Sequence, residues 1–125
     1  MAAGTAVAQE RPRISNDGTW TAVGEGRAFT MLVRRAPPGN VYPRVWERQE
    51  LWESETDDQG SYLSTLSLQD VDCSQQRYRV VQFTSFTGQN MGGRPTPDGA
   101  AASQWRFVVP GSVGASAMEW ACADN

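Results

Sequence analysis

Apolar and polar residues alternate along this chain in short runs that are separated by turn-forming residues, the pattern of an antiparallel β-sheet. The longest such region is a hairpin over residues 62–86, in which two apolar-rich runs flank the polar break Ser74–Gln76. Outside the hairpin, the pattern predicts strands over residues 19–23, 28–34, 41–47 and 105–109. With the hairpin counted as two strands, the sequence predicts a sheet of about six strands.

Near the C-terminus the apolar residues change from alternating to helical spacing. Pro110 and Gly111 interrupt the strand pattern, and Ser112 has the side chain of a good helix N-cap. From Val113 to Cys122 the apolar residues recur at helical spacing, which predicts a helix that docks on the sheet. The predicted fold class is therefore α+β: a single antiparallel sheet with one C-terminal α-helix packed on a face.

Several stretches allow more than one interpretation. Residues 44–52 also fit a helical pattern, and the acidic run from Glu47 to Asp58 is typical of a solvated face or loop. In the first hairpin strand, apolar residues occupy both odd and even positions, which would point to opposite faces. A bulge near residues 69–70 would bring them to the same face. Both faces of the return strand are partly apolar, so the face without the helix needs a cover, either the N-terminal arm or a second copy of the chain.

The chain has two cysteines, Cys73 at the end of the first hairpin strand and Cys122 on the last turn of the predicted helix. We expect a disulfide between them that ties the helix to the sheet. The alternative is a pair of buried free thiols. A disulfide would favour an oxidising compartment outside the cytoplasm.

Residues 87–103 are rich in Gly and Pro and have few apolar side chains, which predicts a long loop. Loops of this length are typically functional or disordered, and both alternatives are open here. If the loop recognises a ligand, the candidate contact residues are Gln89, Asn90, Met91 and Arg94.

Composition narrows the function classes. The formal net charge is −3 with no basic patch, so we expect no nucleic-acid partner. The chain has no His and no Lys, which leaves paired carboxylates as its only candidates for general acid–base catalysis. Such a pair needs two environments that push the pKa values apart, and a dense acidic run typical of solvent does not favour this. We expect no enzyme, no cofactor and no metal site. No apolar run is long enough to span a membrane.

Residues 1–13 are small and largely uncharged up to Glu10, and the Ala6–Ala8 triplet fits a signal-peptidase site. We interpret this segment as a signal-peptide remnant or a disordered leader. Residues 14–125 are then a single domain.

The Asp72-Cys73 strand end followed by Arg77, together with the run from Trp105 through Pro110-Gly111-Ser112 to Cys122, resembles the bacterial surface-adhesin protein E family. The resemblance covers Thr19 to Cys122 and implies a small antiparallel sheet with a helix clamped to it by a disulfide. It also implies export to the periplasm or outer surface, and a protein ligand from the host extracellular matrix. The alternative is a periplasmic or envelope-associated structural or inhibitory module. A homodimer is a further hypothesis.

Overall fold

The computed structural model describes residues 12–39, 41–96 and 103–123, and within them the chain forms six strands and one helix. All strands pair antiparallel with their sequence neighbours, which gives one six-stranded sheet with its strands in chain order. The predicted α+β fold is therefore confirmed. The elements are β1 (Thr21–Glu25), β2 (Phe29–Arg35), β3 (Arg44–Asp57), β4 (Gly60–Asp72), β5 (Arg77–Phe86), β6 (Arg106–Phe107) and α1 (Val113–Cys122).

Strand β3 is twice as long as predicted. The predicted strand over 41–47 is confirmed for residues 44–47, and the predicted solvated acidic segment is confirmed for residues 53–57. The solvated interpretation is wrong for the residues between them, and so is the helical alternative for 44–52, because β3 runs without a helical turn from Arg44 to Asp57. It pairs with β2 on one side and β4 on the other. Pairing with two neighbours outweighs the local acidic composition, since strand preference depends mainly on tertiary context. Only the far end of the strand, residues 53–57, is exposed.

The strand register defines two faces of the sheet, because directly paired residues point to the same side and successive residues alternate. Val45 and Val71 point to the side that carries α1, which we call the helix face. Trp46 is paired with Leu68, and Arg48 with Leu66, on the opposite side, which we call the far face. The two parities of β4 thus serve two covered faces.

A bulge does occur in the central hairpin, although it does not bring the two parities of β4 to one face. β4 stays in regular register with β3 through residues 64–70, so the predicted reconciliation of the parities is wrong. The irregularity lies in the pairing with β5, where Leu68 faces Gln82, Gln69 faces Val80 and Val81 is the extra residue. β4 needs no correction because both of its faces are buried under other parts of the chain.

Helix α1 begins after Ser112, whose hydroxyl accepts a hydrogen bond from the Ala115 amide at 3.1 Å, as predicted for an N-cap. Its buried residues Ala117, Met118 and Ala121 pack on the helix face. At the other end, the Arg35 guanidinium donates to the Ala121 carbonyl at 3.1 Å, which satisfies an end-of-helix acceptor.

The predicted disulfide is confirmed. Cys73, just past the end of β4, is bonded to Cys122 on the last turn of α1, with the two Cα atoms 5.8 Å apart. The alternative of two free thiols is therefore wrong. The disulfide fixes the C-terminal end of the helix, and the Ser112 N-cap stabilises its first turn. The small buried residues Ala117 and Ala121 let the helix lie close to the sheet.

The far face is covered by residues 12–20, which we call the N-terminal arm, and by residues 87–96, which we call the glycine turn. Trp20 is buried at 7 % exposure, with the Arg34 guanidinium 4.5 Å from its ring centre. Of the two covers suggested by the sequence, the structure shows the arm. Of the predicted leader, residues 1–11 lie outside the described residues.

Residues 87–103 were expected as one long loop, and the part that the structure describes is more ordered than that. The Thr96 amide donates to the Ser85 carbonyl at 2.8 Å, and the Ser103 amide donates to the Val80 carbonyl at 2.8 Å. The chain therefore returns along the outer edge of β5 on both sides of residues 97–102, which lie outside the described residues. Such contacts cover a sheet edge that would otherwise be open to pairing.

Replacing both cysteines, Cys73→Ser with Cys122→Ser, should lower the free energy of unfolding by about 4 kcal/mol, because the disulfide closes a loop of about 50 residues in the unfolded chain. Urea unfolding followed by tryptophan fluorescence measures the change. As a control, a reductant should bring the wild-type protein to the stability of the variant and leave the variant unchanged. Equal stability of the oxidised wild type and the variant would contradict the prediction.

Candidate functional site

The glycine turn, residues 87–96, has a fixed backbone. The Thr87 amide donates to the Arg94 carbonyl and the Gly88 amide donates to the Gly92 carbonyl, both at 3.1 Å. Gly93 has a φ of +70°, and a Cβ at this position would lie 2.3 Å from the Thr87 hydroxyl oxygen. The Gly92-Gly93 pair therefore serves a tight turn in which the backbone passes close to a side chain.

A buried ion pair lies directly under this turn. Arg48 and Glu50 point to the far face from alternate positions of β3, with 1 % and 0 % of their side chains exposed. The Arg48 Nε donates to the Glu50 Oε2 at 2.7 Å. A buried pair of this kind is tolerated only when its remaining hydrogen-bonding atoms also find partners.

Asn90 supplies those partners. Its backbone amide donates to the Glu50 Oε1 at 2.7 Å, and its side-chain Oδ1 accepts from the Arg48 Nη2 at 2.8 Å. Ser64 on β4 adds a second anchor, since its hydroxyl accepts from the Met91 amide at 3.0 Å and donates to the Gly88 carbonyl at 2.7 Å. The described part of the chain contains no buried side-chain nitrogen or oxygen without a hydrogen-bond partner.

The same asparagine holds the N-terminal arm. The Asn90 Nδ2 donates to the Arg13 carbonyl at 2.9 Å, and the Ser15 amide donates to the Asn90 Oδ1 at 2.8 Å. Asn90 and Met91 have φ values of 58° and 59°, in the left-handed region that Asn tolerates better than most residues. Glycine turn, arm and buried ion pair are thus joined at one residue.

The four predicted contact residues fall into two groups. Gln89 and Arg94 are exposed, and so are free to meet a partner at the surface of the turn. Asn90 and Met91 are partly buried, and their backbone amides are bonded to Glu50 and Ser64. The surface formed by the exposed residues of the glycine turn and the arm is the candidate binding surface, with Asn90 beneath it as its anchor.

A second polar group on the far face lies near β6. Arg77 donates to Asp72 at 2.9 Å and Arg79 donates to Asp70 at 3.0 Å, so both arginines pair with carboxylates across the hairpin. Both guanidinium groups are partly exposed and lie 4.6 Å from the ring centre of Trp105. Stacking on an indole favours this partly desolvated position.

The hydrogen bond from Arg77, above all, holds the pKa of Asp72 below its ordinary value of 3.8, with smaller contributions from Ser74 and the Gln75 amide, although desolvation acts in the opposite direction. A lowered pKa means that the ionised carboxylate is favoured in the folded state. This contribution to stability is present above the unfolded pKa near 4 and is lost as the pH falls through the lower folded pKa. At neutral pH, the ionised Asp72 carboxylate paired with Arg77 therefore stabilises the fold.

A cavity of about 150 Å³ lies on the helix face between the sheet and α1. Its walls are apolar at Val45, Val71 and Met118, and polar at Glu47 and Gln69. Burial raises the pKa of the Glu47 carboxyl above its ordinary value of 4.5, and hydrogen bonds from the Gln69 and Gln49 side chains offset part of the effect. The cavity thus holds one carboxyl in a setting that disfavours its charge.

Glu47 and Glu50 do not stand out in the sequence, because they belong to an acidic run that is typical of a solvated face or loop. The signal that was present is the parity of β3. Glu47 shares a parity with Val45 and Leu51, whereas Arg48 and Glu50 share the other with Trp46. In a strand paired on both sides, both parities are buried, so an Arg and a Glu two residues apart are placed to pair.

Two further features bear on function. In the described ranges, no group of three or more Cys, Asp and Glu side chains could together hold a metal ion. No helix among the described residues is long and apolar enough to cross a membrane.

Comparison with known proteins gives one match. The family model described as surface-adhesin protein E matches residues 20–123, which is most of the chain. No curated protein and no solved structure matches the chain significantly. The matched range contains all the described strands, the helix, both cysteines and the glycine turn.

Glu50→Gln should lower the free energy of unfolding by about 3 kcal/mol, because it leaves the buried Arg48 guanidinium without its anion. It should also speed hydrogen exchange at the Asn90 amide, which loses a charged acceptor. Urea unfolding and amide exchange by NMR measure the two effects. Glu53→Gln, an exposed glutamate of the same strand, is the control. If both variants behave alike, the buried pair does not anchor the turn.

Proposed function

Because the chain belongs to the surface-adhesin protein E family, we propose that this surface adhesin-like protein is a non-catalytic binding protein whose ligand is a host extracellular-matrix protein. Family membership supports a binding role and a surface or exported location. The fixed glycine turn supports the location of the binding surface. It presents Gln89 and Arg94 to solvent, while Asn90 holds the backbone of the turn on the buried side.

A turn that is already ordered is suited to binding a large protein. Ordering a flexible loop at an interface costs free energy that must come out of the affinity. Here the backbone amides of Asn90 and Met91 are already committed to Glu50 and Ser64, so the turn has little freedom left to lose. The exposed Arg94 provides a guanidinium for a partner's carboxylates, and Gln89 provides an amide that can both donate and accept.

The location that we propose is the periplasm or the outer cell surface. The Cys73–Cys122 disulfide supports it, because such bonds persist in oxidising compartments and are rare in the cytosol. An envelope-associated module without adhesin activity is the competing function, and labelling of intact cells separates it from an adhesin exposed at the outer surface.

Immobilised laminin or vitronectin should bind the protein saturably, and the double variant Gln89→Ala with Arg94→Ala should weaken binding by at least about tenfold, the loss expected for interface residues that carry binding energy. Surface plasmon resonance measures the affinity. Arg27→Ala, which removes an exposed arginine from the turn between β1 and β2, is the matched control and should bind like the wild type.

Two results would count against this function. Absence of saturable binding to both matrix proteins would remove the matrix ligand. Binding that is equal in the double variant and the control would move the contact surface away from the glycine turn. Melting temperatures of all variants should agree, because the Gln89 and Arg94 side chains are exposed and only the backbone atoms of these residues take part in the hydrogen bonds of the turn.

We also propose a homodimer. Phe107 in β6 and Val109 just after it are 70 % and 68 % exposed, and a second copy of the chain could bury both apolar side chains. Light scattering at high protein concentration should give twice the chain mass of 13.7 kDa. Phe107→Ser should return the mass to that of one chain, whereas a monomer mass for the wild type would dismiss the dimer.

A further inference from the structure

The cavity between the sheet and α1 differs from the rest of the interior in its charge balance. Each described buried carboxylate on the far face has an arginine within hydrogen-bonding distance: Glu50 has Arg48, Asp70 has Arg79 and Asp72 has Arg77. The Glu47 carboxyl on the helix face is hydrogen-bonded by the neutral side chains of Gln69 and Gln49 instead. The described residues in the cavity wall include no basic residue.

The elements packed around Glu47 leave its charge uncompensated. β2 contributes Met31, β4 contributes Gln69 and Val71, and the helix contributes only small or apolar residues to the wall. β5 contributes the phenol of Tyr78, the one other titratable group described in the wall. A carboxyl surrounded in this way by amides and hydrocarbon is a good partner for a cation that brings its own apolar surface.

We propose that this cavity is a binding site for a small organic cation, an ammonium or guanidinium group carried on a short hydrocarbon. The charged end pairs with the Glu47 carboxylate and donates further hydrogen bonds to the side-chain carbonyl oxygens of Gln49 and Gln69. The hydrocarbon lies against Val45, Val71 and Met118. A free amine and the side chain of a lysine on a partner protein present the same chemistry to this site.

Size and access agree with this class of ligand. A cavity of about 150 Å³ is large enough for a molecule the size of benzene. Most of the wall is buried, but Glu47, Gln49, Tyr78 and Gly114 remain partly accessible, which places an opening to solvent beside the carboxyl. A charged group can therefore reach Glu47 without the helix leaving the sheet.

Proton linkage gives the site a distinctive pH dependence. The cation pairs with the ionised carboxylate, whereas burial raises the pKa of Glu47 and so favours its protonated form in the empty protein. Affinity should therefore be highest above that raised pKa. Below it, each pH unit should weaken binding by up to about tenfold, because a proton must leave before the cation can pair.

Benzylammonium is the first probe, and the protein is labelled with ¹³C at its methionine methyl groups. At pH 8, benzylammonium should shift the Met31 and Met118 signals saturably, with a Kd in the millimolar range expected for so small a ligand. The Met91 methyl belongs to the glycine turn on the far face and should not move. Neutral benzyl alcohol should bind at least about tenfold more weakly, because it cannot form the charge pair.

Glu47→Gln should weaken benzylammonium binding by at least about tenfold, while the affinity for benzyl alcohol should stay unchanged. This variant removes a carboxyl that burial disfavours, so the fold should survive, and circular dichroism checks it. Glu53→Gln removes the same charge from an exposed position of β3 and should bind like the wild type. Absence of saturable shifts, equal binding of the alcohol, or full affinity in Glu47→Gln would each overturn the proposal.

The source of the cation is decided by a second pair of probes, n-butylammonium and Nα-acetyl-lysine methylamide, which carry the same charged chain. Equal binding of the two assigns the cavity to a lysine side chain of a partner. Binding of the free amine alone assigns it to a small metabolite amine. Either result supports the site, and neither depends on whether the protein binds extracellular-matrix proteins through the glycine turn.

Discussion

The buried pair between Arg48 and Glu50 is the interaction on which the far face of this protein depends. Two charges in the middle of a sheet are costly unless every hydrogen-bonding atom is satisfied. Strand neighbours cannot do this alone, because their backbone groups are engaged in the sheet. Asn90 contacts both members of the pair and the N-terminal arm as well. The buried charge pair thus needs the hydrogen bonds of the glycine turn, and the glycine turn is held in place by the same bonds.

This mutual requirement explains how a small domain keeps an irregular surface ordered. The disulfide and the helix secure one face of the sheet, so the other can be closed by irregular chain without loss of the fold. Irregular chain is normally the least stable part of a domain, because it makes few buried contacts. Here it is held by charged hydrogen bonds, which are stronger than neutral ones. Exposed residues such as Gln89 and Arg94 can therefore vary in identity while their positions stay fixed.

Most of the fold follows from local signals that survive in the tertiary structure. The helix over 113–122 was predicted from spacing and from Ser112, and the disulfide from two cysteines at element ends. β3 was predicted poorly, because strand pairing on both sides outweighs an acidic composition that local reasoning assigns to solvent. The anchoring role of Asn90 could not be predicted, since its partners lie about 40 residues away and nothing local indicates them.

Glu47 and Glu50 show how one strand can give the same residue type two different roles. They are three positions apart, so they point to opposite faces. Glu50 meets an arginine two residues away, and the asparagine above completes its contacts. Glu47 meets glutamines and hydrocarbon, and its charge is left uncompensated beside a cavity that reaches solvent. A satisfied buried charge holds structure together, whereas an uncompensated one next to accessible space is available for a ligand. The two glutamates therefore differ in whether an arginine lies within hydrogen-bonding distance of the carboxyl.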